Sequence, residues 1–166
     1  MELIIRPVRE EDAGSIVELL NPIIQAGIYT AMDESFSVTD QLDFMRSFPQ
    51  RGIYQIALDG ATQKILGIQD VLPISTSNVF RHVGEVSTFV ALDAHRQGVG
   101  QSLCQATFKA VKVQDFLKLR ATVRGDNPYA LAFYQSQGFE LIGIAKQHAY
   151  LRGKYIDEIL LEKFLE

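Results

Sequence analysis

Hydrophobic and polar residues recur with different periods along the chain, and the period predicts where strands and helices lie. Apolar residues that alternate or run together indicate a strand, whereas recurrence every three or four positions indicates a helix. Strands are predicted at 3–6, 53–58, 64–72, 82–92, 116–123, 141–151 and 155–164. Helices are predicted to begin at Glu10, at Val38 or Thr39, at Gly98 and after Asn127. The pair Asn21-Pro22 is expected to interrupt or bend the first helix.

The order of these elements, β-α-α-β-β-β-α-β-α-β-β, predicts an α/β fold. Asp59-Gly60 and Arg152-Gly153 are typical of hairpin turns, so the strands that they join should be antiparallel. One β-α-β crossover over 83–123 requires a parallel pair. We therefore expect a mixed, mostly antiparallel central sheet flanked by helices on both faces, and residues 1–166 as one domain.

The stretch 85–103 joins a strand, a short glycine loop and the start of a helix. The first N–H groups of a helix have no partner within it and carry the positive end of its dipole. Glycine lets an anion approach the backbone, and a side chain at Gly98 or Gly100 would fill that space. The stretch therefore predicts a pyrophosphate cradle at 98–102.

Two common phosphate motifs are absent: Gly-x-x-x-x-Gly-Lys-Ser/Thr, and Gly-x-Gly-x-x-Gly. The loop instead resembles Gln/Arg-x-x-Gly-x-Gly/Ala, which the GNAT superfamily of acyl-CoA-dependent N-acyltransferases uses to bind coenzyme A. Gly98 and Gly100 stand at the two glycine positions, between a strand and a helix as in the family, and Arg96 supplies a cation within the loop. The sequence departs at the first position of that motif, where it has His95.

A second segment carries the same resemblance. Residues 127–139 match Asn-x-x-Ala-x-x-Phe-Tyr-x-x-x-Gly-Phe, a GNAT signature, at all of its specified positions. More narrowly, Glu85-Val-Ser-Thr-Phe-Val and the ending Gly153-Lys-Tyr-Ile-Asp-Glu-Ile-Leu-Leu resemble the phosphinothricin-type branch, which acetylates small amino acids and their analogues. Several members of that branch carry His where this chain has Tyr134.

The resemblance implies a GNAT-type fold, acetyl-CoA as co-substrate, and transfer of its acetyl group to a primary amine of a small molecule by direct attack. It implies that Glu85 acts as general base, directly or through a water, and that Tyr134 protonates the leaving thiolate. His82, Asp70, His148 and Tyr150 are alternative bases. The expected cofactor-binding residues are Thr88, Phe89, Val90, His95, Arg96, Gln97, Gly98, Val99, Gly100, Gln101, Ser102, Asn127 and Ser136.

Two other functions stay open at this point. The acceptor could be a protein N-terminus or lysine, which would require a peptide groove. The chain could also be a catalytically silent acyl-CoA sensor that keeps the glycine loop. The acceptor is expected over residues 29–38, 73–80 and the final hairpin.

Composition and charge indicate which classes of binding partner to expect. The net charge of −4 argues against nucleic acid, which usually meets a basic surface. No apolar run of 18 residues and no signal-peptide pattern is present, so we expect a cytoplasmic protein without a membrane partner. Cys104 is the only cysteine, and a packed core thiol is favoured over a nucleophile. No metal-ligand spacing occurs, and a homodimer is left open.

Overall fold

Seven strands form one sheet in the order β1-β2-β3-β4-β5-β7-β6 in a computed structural model that describes residues 1–166. The strands are β1 Leu3–Pro7, β2 Ile53–Asp59, β3 Ile65–Pro73, β4 Val83–Val90, β5 Lys118–Arg124, β6 Glu140–Leu151 and β7 Lys154–Phe164. The helices are α1 Ala13–Ala26, α2 Val38–Arg46, α3 Val99–Val113 and α4 Pro128–Ser136. Every pairing is antiparallel except that of β4 with β5, which confirms the mixed sheet and its single crossover.

Helices cover both faces of the sheet, as predicted. On one face, Gln41 of α2 donates a 2.9 Å hydrogen bond to the hydroxyl of Tyr54 in β2, and α1 packs beside α2. On the other face, α3 lies so close to β3 that a Cβ on Gly67 would be 2.7 Å from Val99. Two buried apolar clusters result, a larger one around β2, β3 and α1 and a smaller one around β5 and α4.

Asn21-Pro22 was expected to interrupt or bend the first helix, and the helix is not interrupted there. Helix α1 runs through Pro22 to Ala26 and is capped by Gly27, which adopts the left-handed φ of 72°. Proline removes one backbone donor from the helix, but Ile23 and Ile24 directly after it are buried in the larger core cluster. Burial of the last turn therefore outweighs the lost hydrogen bond.

Strands β4 and β5 separate soon after they begin. They pair only at Val83 with Lys118, Gly84 with Leu119 and Glu85 with Arg120. Beyond that point β4 pairs only with β3, up to Val90, and β5 pairs only with β7. Strand β4 also ends two residues earlier than predicted, because the chain turns into a short 3₁₀ helix at Leu92–Ala94. The separation leaves a wedge-shaped opening in the middle of the sheet.

The edge strand β6 exposes several apolar side chains. Leu141, Ile142 and Ile144 are each between 44% and 50% exposed. None of the helices is both long and apolar enough to cross a membrane. No group of three or more His, Cys, Asp or Glu side chains is placed to hold a metal ion.

Candidate active site

Helix α3 presents free backbone donors at its N-terminus. Gly98 is the N-cap with a φ of +80°, and nothing lies within 4 Å of where its Cβ would be. The first helical hydrogen bond runs from the Ser102 N–H to the Gly98 carbonyl at 3.0 Å. The N–H groups of Val99, Gly100 and Gln101 therefore have no partner within the helix and suit an anion. The Ser102 N–H is already used, which corrects its place in the predicted cradle.

Glycine is required at position 100 for a different reason from the one predicted. A Cβ on Gly100 would lie 2.9 Å from the Phe133 ring in α4. Gly100 therefore allows α3 and α4 to pack closely, rather than keeping space for a phosphate. Gly98 is the position where the left-handed backbone and the open space together favour glycine.

A cleft of about 780 Å³ extends from this helix terminus along β4 to α4. It is lined by these predicted residues: Thr88, Phe89, Val90, His95, Arg96, Gly98, Val99, Gly100, Gln101, Asn127, Tyr134 and Ser136. Gln97, Ser102 and Glu85 do not line it. Gln97 is exposed and its side-chain amide donates instead to the Asp93 carbonyl at 3.3 Å.

His95 and Arg96 connect the glycine loop to both walls of the cleft. The His95 Nε2 atom lies 3.1 Å from the Val90 carbonyl oxygen, and its ring meets Tyr29 edge-on at 5.6 Å. Arg96, with a φ of 61°, holds its guanidinium 5.4 Å from the ring centroid of Tyr129 in α4. His95 therefore fixes the end of β4, and Arg96, one residue after the first position of the motif, spans to α4.

Tyr134 lies at the inner end of the cleft and is only 5% exposed. Its hydroxyl donates to Thr88 Oγ1 at 3.0 Å. Burial raises the pKa of the Tyr134 phenol above its ordinary value. The phenol is therefore protonated at neutral pH, as a proton donor must be.

The Thr88 hydroxyl that accepts from Tyr134 is also bound by a buried amide, which no sequence motif marks. Gln69 of β3 donates to Thr88 Oγ1 at 2.8 Å and to Cys104 Sγ at 3.2 Å. Burial raises the pKa of the Cys104 thiol to about 11, so this cysteine is a protonated core residue, as predicted. Gln69 is fully buried, and no local pattern in β3 distinguishes it from a solvent-facing glutamine.

Glu85 lies on the opposite face of the sheet from Tyr134, where β4 and β5 separate. Its Oε2 accepts from Arg120, with the Nε atom at 3.2 Å, and its Oε1 accepts from the Thr122 hydroxyl at 3.2 Å. The side chain is 34% exposed, so it can be reached from solvent. An acceptor approaching Glu85 would therefore come from the face opposite α3 and α4.

Of the alternative bases, Asp70 alone is buried. It is 8% exposed, and burial, with a smaller contribution from Glu85, raises the pKa of its carboxyl group to about 7. His82, His148 and Tyr150 are exposed on the surface.

Two buried polar side chains hold the loop after α1 against the cleft. Asn127 caps α4 by accepting from the Ala130 N–H at 3.2 Å and donates to the Tyr29 carbonyl at 3.3 Å. Arg124 donates to the carbonyls of Gly27 and Thr30, at 2.9 and 3.0 Å. Sequence reasoning missed Arg124, because its partners are about 95 residues away along the chain. Ser136, at the far end of the cleft, donates to the Phe133 carbonyl at 2.6 Å.

The comparisons with known proteins agree with this architecture. Residues 5–160 match the model of the acetyltransferase (GNAT) domain family, so the chain belongs to the GNAT acetyltransferases. It is 25% identical over 164 residues to phosphinothricin N-acetyltransferase of Streptomyces coelicolor, covering 98% of this chain and 96% of the relative.

Two solved structures share the fold at lower identity. A GNAT superfamily phosphinothricin acetyltransferase from Sinorhizobium meliloti, in complex with acetyl-CoA, superposes with a TM-score of 0.91 at 21% identity over 99% of this chain and 89% of that one. A ribosomal-protein-alanine N-acetyltransferase from Brucella melitensis superposes with the same score and identity over 98% of this chain and 99% of that one. One fold therefore serves acetyltransferases with different names, and the acceptor must be argued from the site.

Proposed function

We propose that this protein transfers an acetyl group from acetyl-CoA to the primary amine of a small molecule, an amino acid or an analogue. The observation that carries the proposal is the opening between β4 and β5, which is bordered by the free N-terminus of α3. The relative and the structural neighbour named for phosphinothricin acetylation support the acceptor class.

The cleft fits coenzyme A. Free N–H groups at Val99, Gly100 and Gln101, with Arg96 beside them, offer charge-assisted hydrogen bonds to a pyrophosphate, each worth about 1.5–3 kcal/mol. Ala91 donates its N–H to Leu66 in β3, so alternation along β4 turns the Val90 N–H toward the opening. That donor would polarise a thioester carbonyl seated beside β4. Bound acetyl-CoA would supply the activated acetyl group.

The two proposed catalytic residues, Glu85 and Tyr134, meet this opening from opposite faces of the sheet. Glu85 accepts a proton from the attacking nitrogen, and its contacts with Arg120 and Thr122 hold the carboxylate in place. Tyr134 donates a proton to the departing sulfur from a buried, protonated phenol. General acid or base assistance of this kind is worth about 10²–10⁴ in rate.

A protein acceptor is the second candidate, because a structural neighbour is named for acetylating a ribosomal protein. A silent acyl-CoA sensor is the third. We place the protein in the cytoplasm, which agrees with the lone buried thiol of Cys104.

Release of free CoA from acetyl-CoA tests the proposal. The acceptors would be phosphinothricin, the standard L-amino acids, and peptides with free N-termini. We expect release with phosphinothricin or one amino acid, and a thermal shift with acetyl-CoA alone. A thermal shift without release from any acceptor would favour the sensor, and release only with peptides would favour a protein substrate. No thermal shift at all would contradict all three functions.

A further inference from the structure

Two carboxylates lie side by side where β4 and β5 begin to separate. Asp70 in β3 is opposite Ser87, and Glu85 in β4 is opposite Leu72. Residues two positions apart on paired strands point to the same face, with Cα atoms about 7–8 Å apart on the diagonal. Asp70 and Glu85 are therefore diagonal neighbours on the face opposite α3 and α4.

The two carboxylates differ in what already binds them. Both oxygens of Glu85 are occupied, one by Arg120 and the other by Thr122. Asp70 makes no hydrogen bond and no ion pair, although it is only 8% exposed. An unpartnered buried carboxylate is costly to a fold. Such a group, diagonal to Glu85 across the β3–β4 pairing, is a candidate for proton transfer.

No cation compensates Asp70 directly. The titratable and charged side chains on its face of the sheet are Tyr54 from β2 and Glu85 from β4 with its partner Arg120 from β5. Tyr134 from α4 lies on the far side of the sheet. Burial and the nearby charge of Glu85 both favour the protonated form, which places the pKa of Asp70 at about 7. A base with a pKa near the working pH transfers protons most effectively.

The chemistry requires more than one proton acceptor. An acceptor ammonium nitrogen carries three protons and the nitrogen of the product amide carries one, so two protons must leave it. We propose, on the basis of the function above, that Asp70 is a second catalytic carboxylate that takes the first proton, while Glu85 takes the second.

Every proton and electron pair in this step has a donor and an acceptor. Removal of the first proton frees the nitrogen lone pair that forms the new C–N bond, and the C–S bonding pair leaves with sulfur. Tyr134 gives a proton to that sulfur. One of the two protons collected by Asp70 and Glu85 restores Tyr134, and the other goes to solvent.

The test is the pH dependence of kcat/KM between pH 5 and 9, with acetyl-CoA and either phosphinothricin or the amino acid that reacts fastest. Wild-type activity should fall on the acid side with an inflection near pH 7. Asp70→Asn should lose that inflection and at least about 10² in kcat/KM at pH 7.5, with unchanged acetyl-CoA affinity. Glu85→Gln should keep the inflection but move it to lower pH, because a like charge next to Asp70 is gone.

An exposed carboxylate in α2 gives the control, since Asp43→Asn should behave as wild type. If Asp70→Asn keeps the wild-type kcat/KM and the same fall of kcat/KM at acid pH, the inference is overturned and the proposed function still stands. An unmoved inflection in Glu85→Gln would also overturn it, and this variant covers the case in which Asp70→Asn does not fold. No CoA release from the wild type with any acceptor would overturn the proposed function, and the inference with it.

Discussion

Tyr134 donates a hydrogen bond to the Thr88 hydroxyl, 3.0 Å away, and this bond joins α4 to β4 at the inner end of the cleft. Thr88 also accepts from Gln69, which reaches Cys104 in α3. The phenol is therefore held in one position by a chain of contacts that joins four elements, α4, β4, β3 and α3. A fixed, protonated phenol is the arrangement that general acid catalysis needs.

Tyr134→Phe should lower kcat by at least about tenfold and leave acetyl-CoA affinity nearly unchanged, because the ring and its packing remain. Steady-state kinetics and a titration with acetyl-CoA measure the two effects. Tyr155→Phe, at a tyrosine that is 63% exposed, serves as the control. A matching loss of acetyl-CoA affinity in Tyr134→Phe would mark Tyr134 as a structural residue.

Changing each of the two loop glycines to alanine should affect a different property of the protein. Gly98→Ala should lower the free energy of unfolding by about 1 kcal/mol, because φ is +80° at this position. It should also weaken acetyl-CoA binding. Gly100→Ala should mainly destabilise the fold, because its Cβ would press on Phe133. Urea unfolding and an acetyl-CoA titration separate the two effects.

The matched control for the glycines is Gly143→Ala, where no atom lies within 4 Å of the added Cβ. Adding Phe133→Leu to Gly100→Ala should recover part of the lost stability. No recovery would show that the contact with Phe133 is not the reason for glycine at position 100.

Asp70 should make the protein less stable as the pH rises. Its pKa is 3.8 in an unperturbed chain and about 7 when folded, so between these values the folded state holds the extra proton. The free energy of unfolding then falls by up to about 1.4 kcal/mol per pH unit over that window. Asp70→Asn should remove this slope, so its stability relative to wild type should rise from pH 5 to pH 8.

Urea unfolding of both proteins at each pH measures this difference. Carboxylates with lowered pKa values, such as Asp126 at about 2, lose their contribution only at lower pH and are common to both proteins. Equal slopes for wild type and Asp70→Asn would contradict a raised pKa at Asp70.

The exposed edge strand β6 predicts a homodimer. Ile142 and Ile144 leave apolar surface next to unpaired backbone groups, and such edges pair with another copy unless they are protected. Sedimentation at micromolar concentration should give a dimer, and Ile142→Lys should shift it toward monomer. Glu140→Lys, at an exposed polar position of the same strand, is the control. A wild-type monomer at this concentration would show that the edge is unpaired.

Much of the fold could be predicted from local pattern. Alternation and turn signals placed all seven strands, and Asn127 before Pro128 placed the start of α4. The continuation of α1 through Pro22, where an interruption was one expected outcome, has a physical cause outside the local sequence. The last turn of α1 is held by a core that later strands complete, and a local breaker signal carries no information about that core.

The candidate site was predictable only in part. The glycine loop and the Asn127–Phe139 segment are each a continuous stretch of the chain, so the residues within each can be recognised together as a motif. Gln69 and Arg124 contribute through partners far away along the chain, and neither stands in a motif. Glycine at position 100 could not be explained from the sequence either, because the contact that requires it forms only where Phe133 of α4 packs against the loop.

The sequence by itself determined the order of the elements, the glycine loop and the family to which the chain belongs, because these depend on residues close together in the chain. The tertiary structure decided which carboxylates share one face. Asp70 and Glu85 are 15 residues apart on different strands, and only the register of β3 with β4 makes them neighbours. Burial then sets the ionisation of Asp70, and burial is a property of the folded packing rather than of any segment.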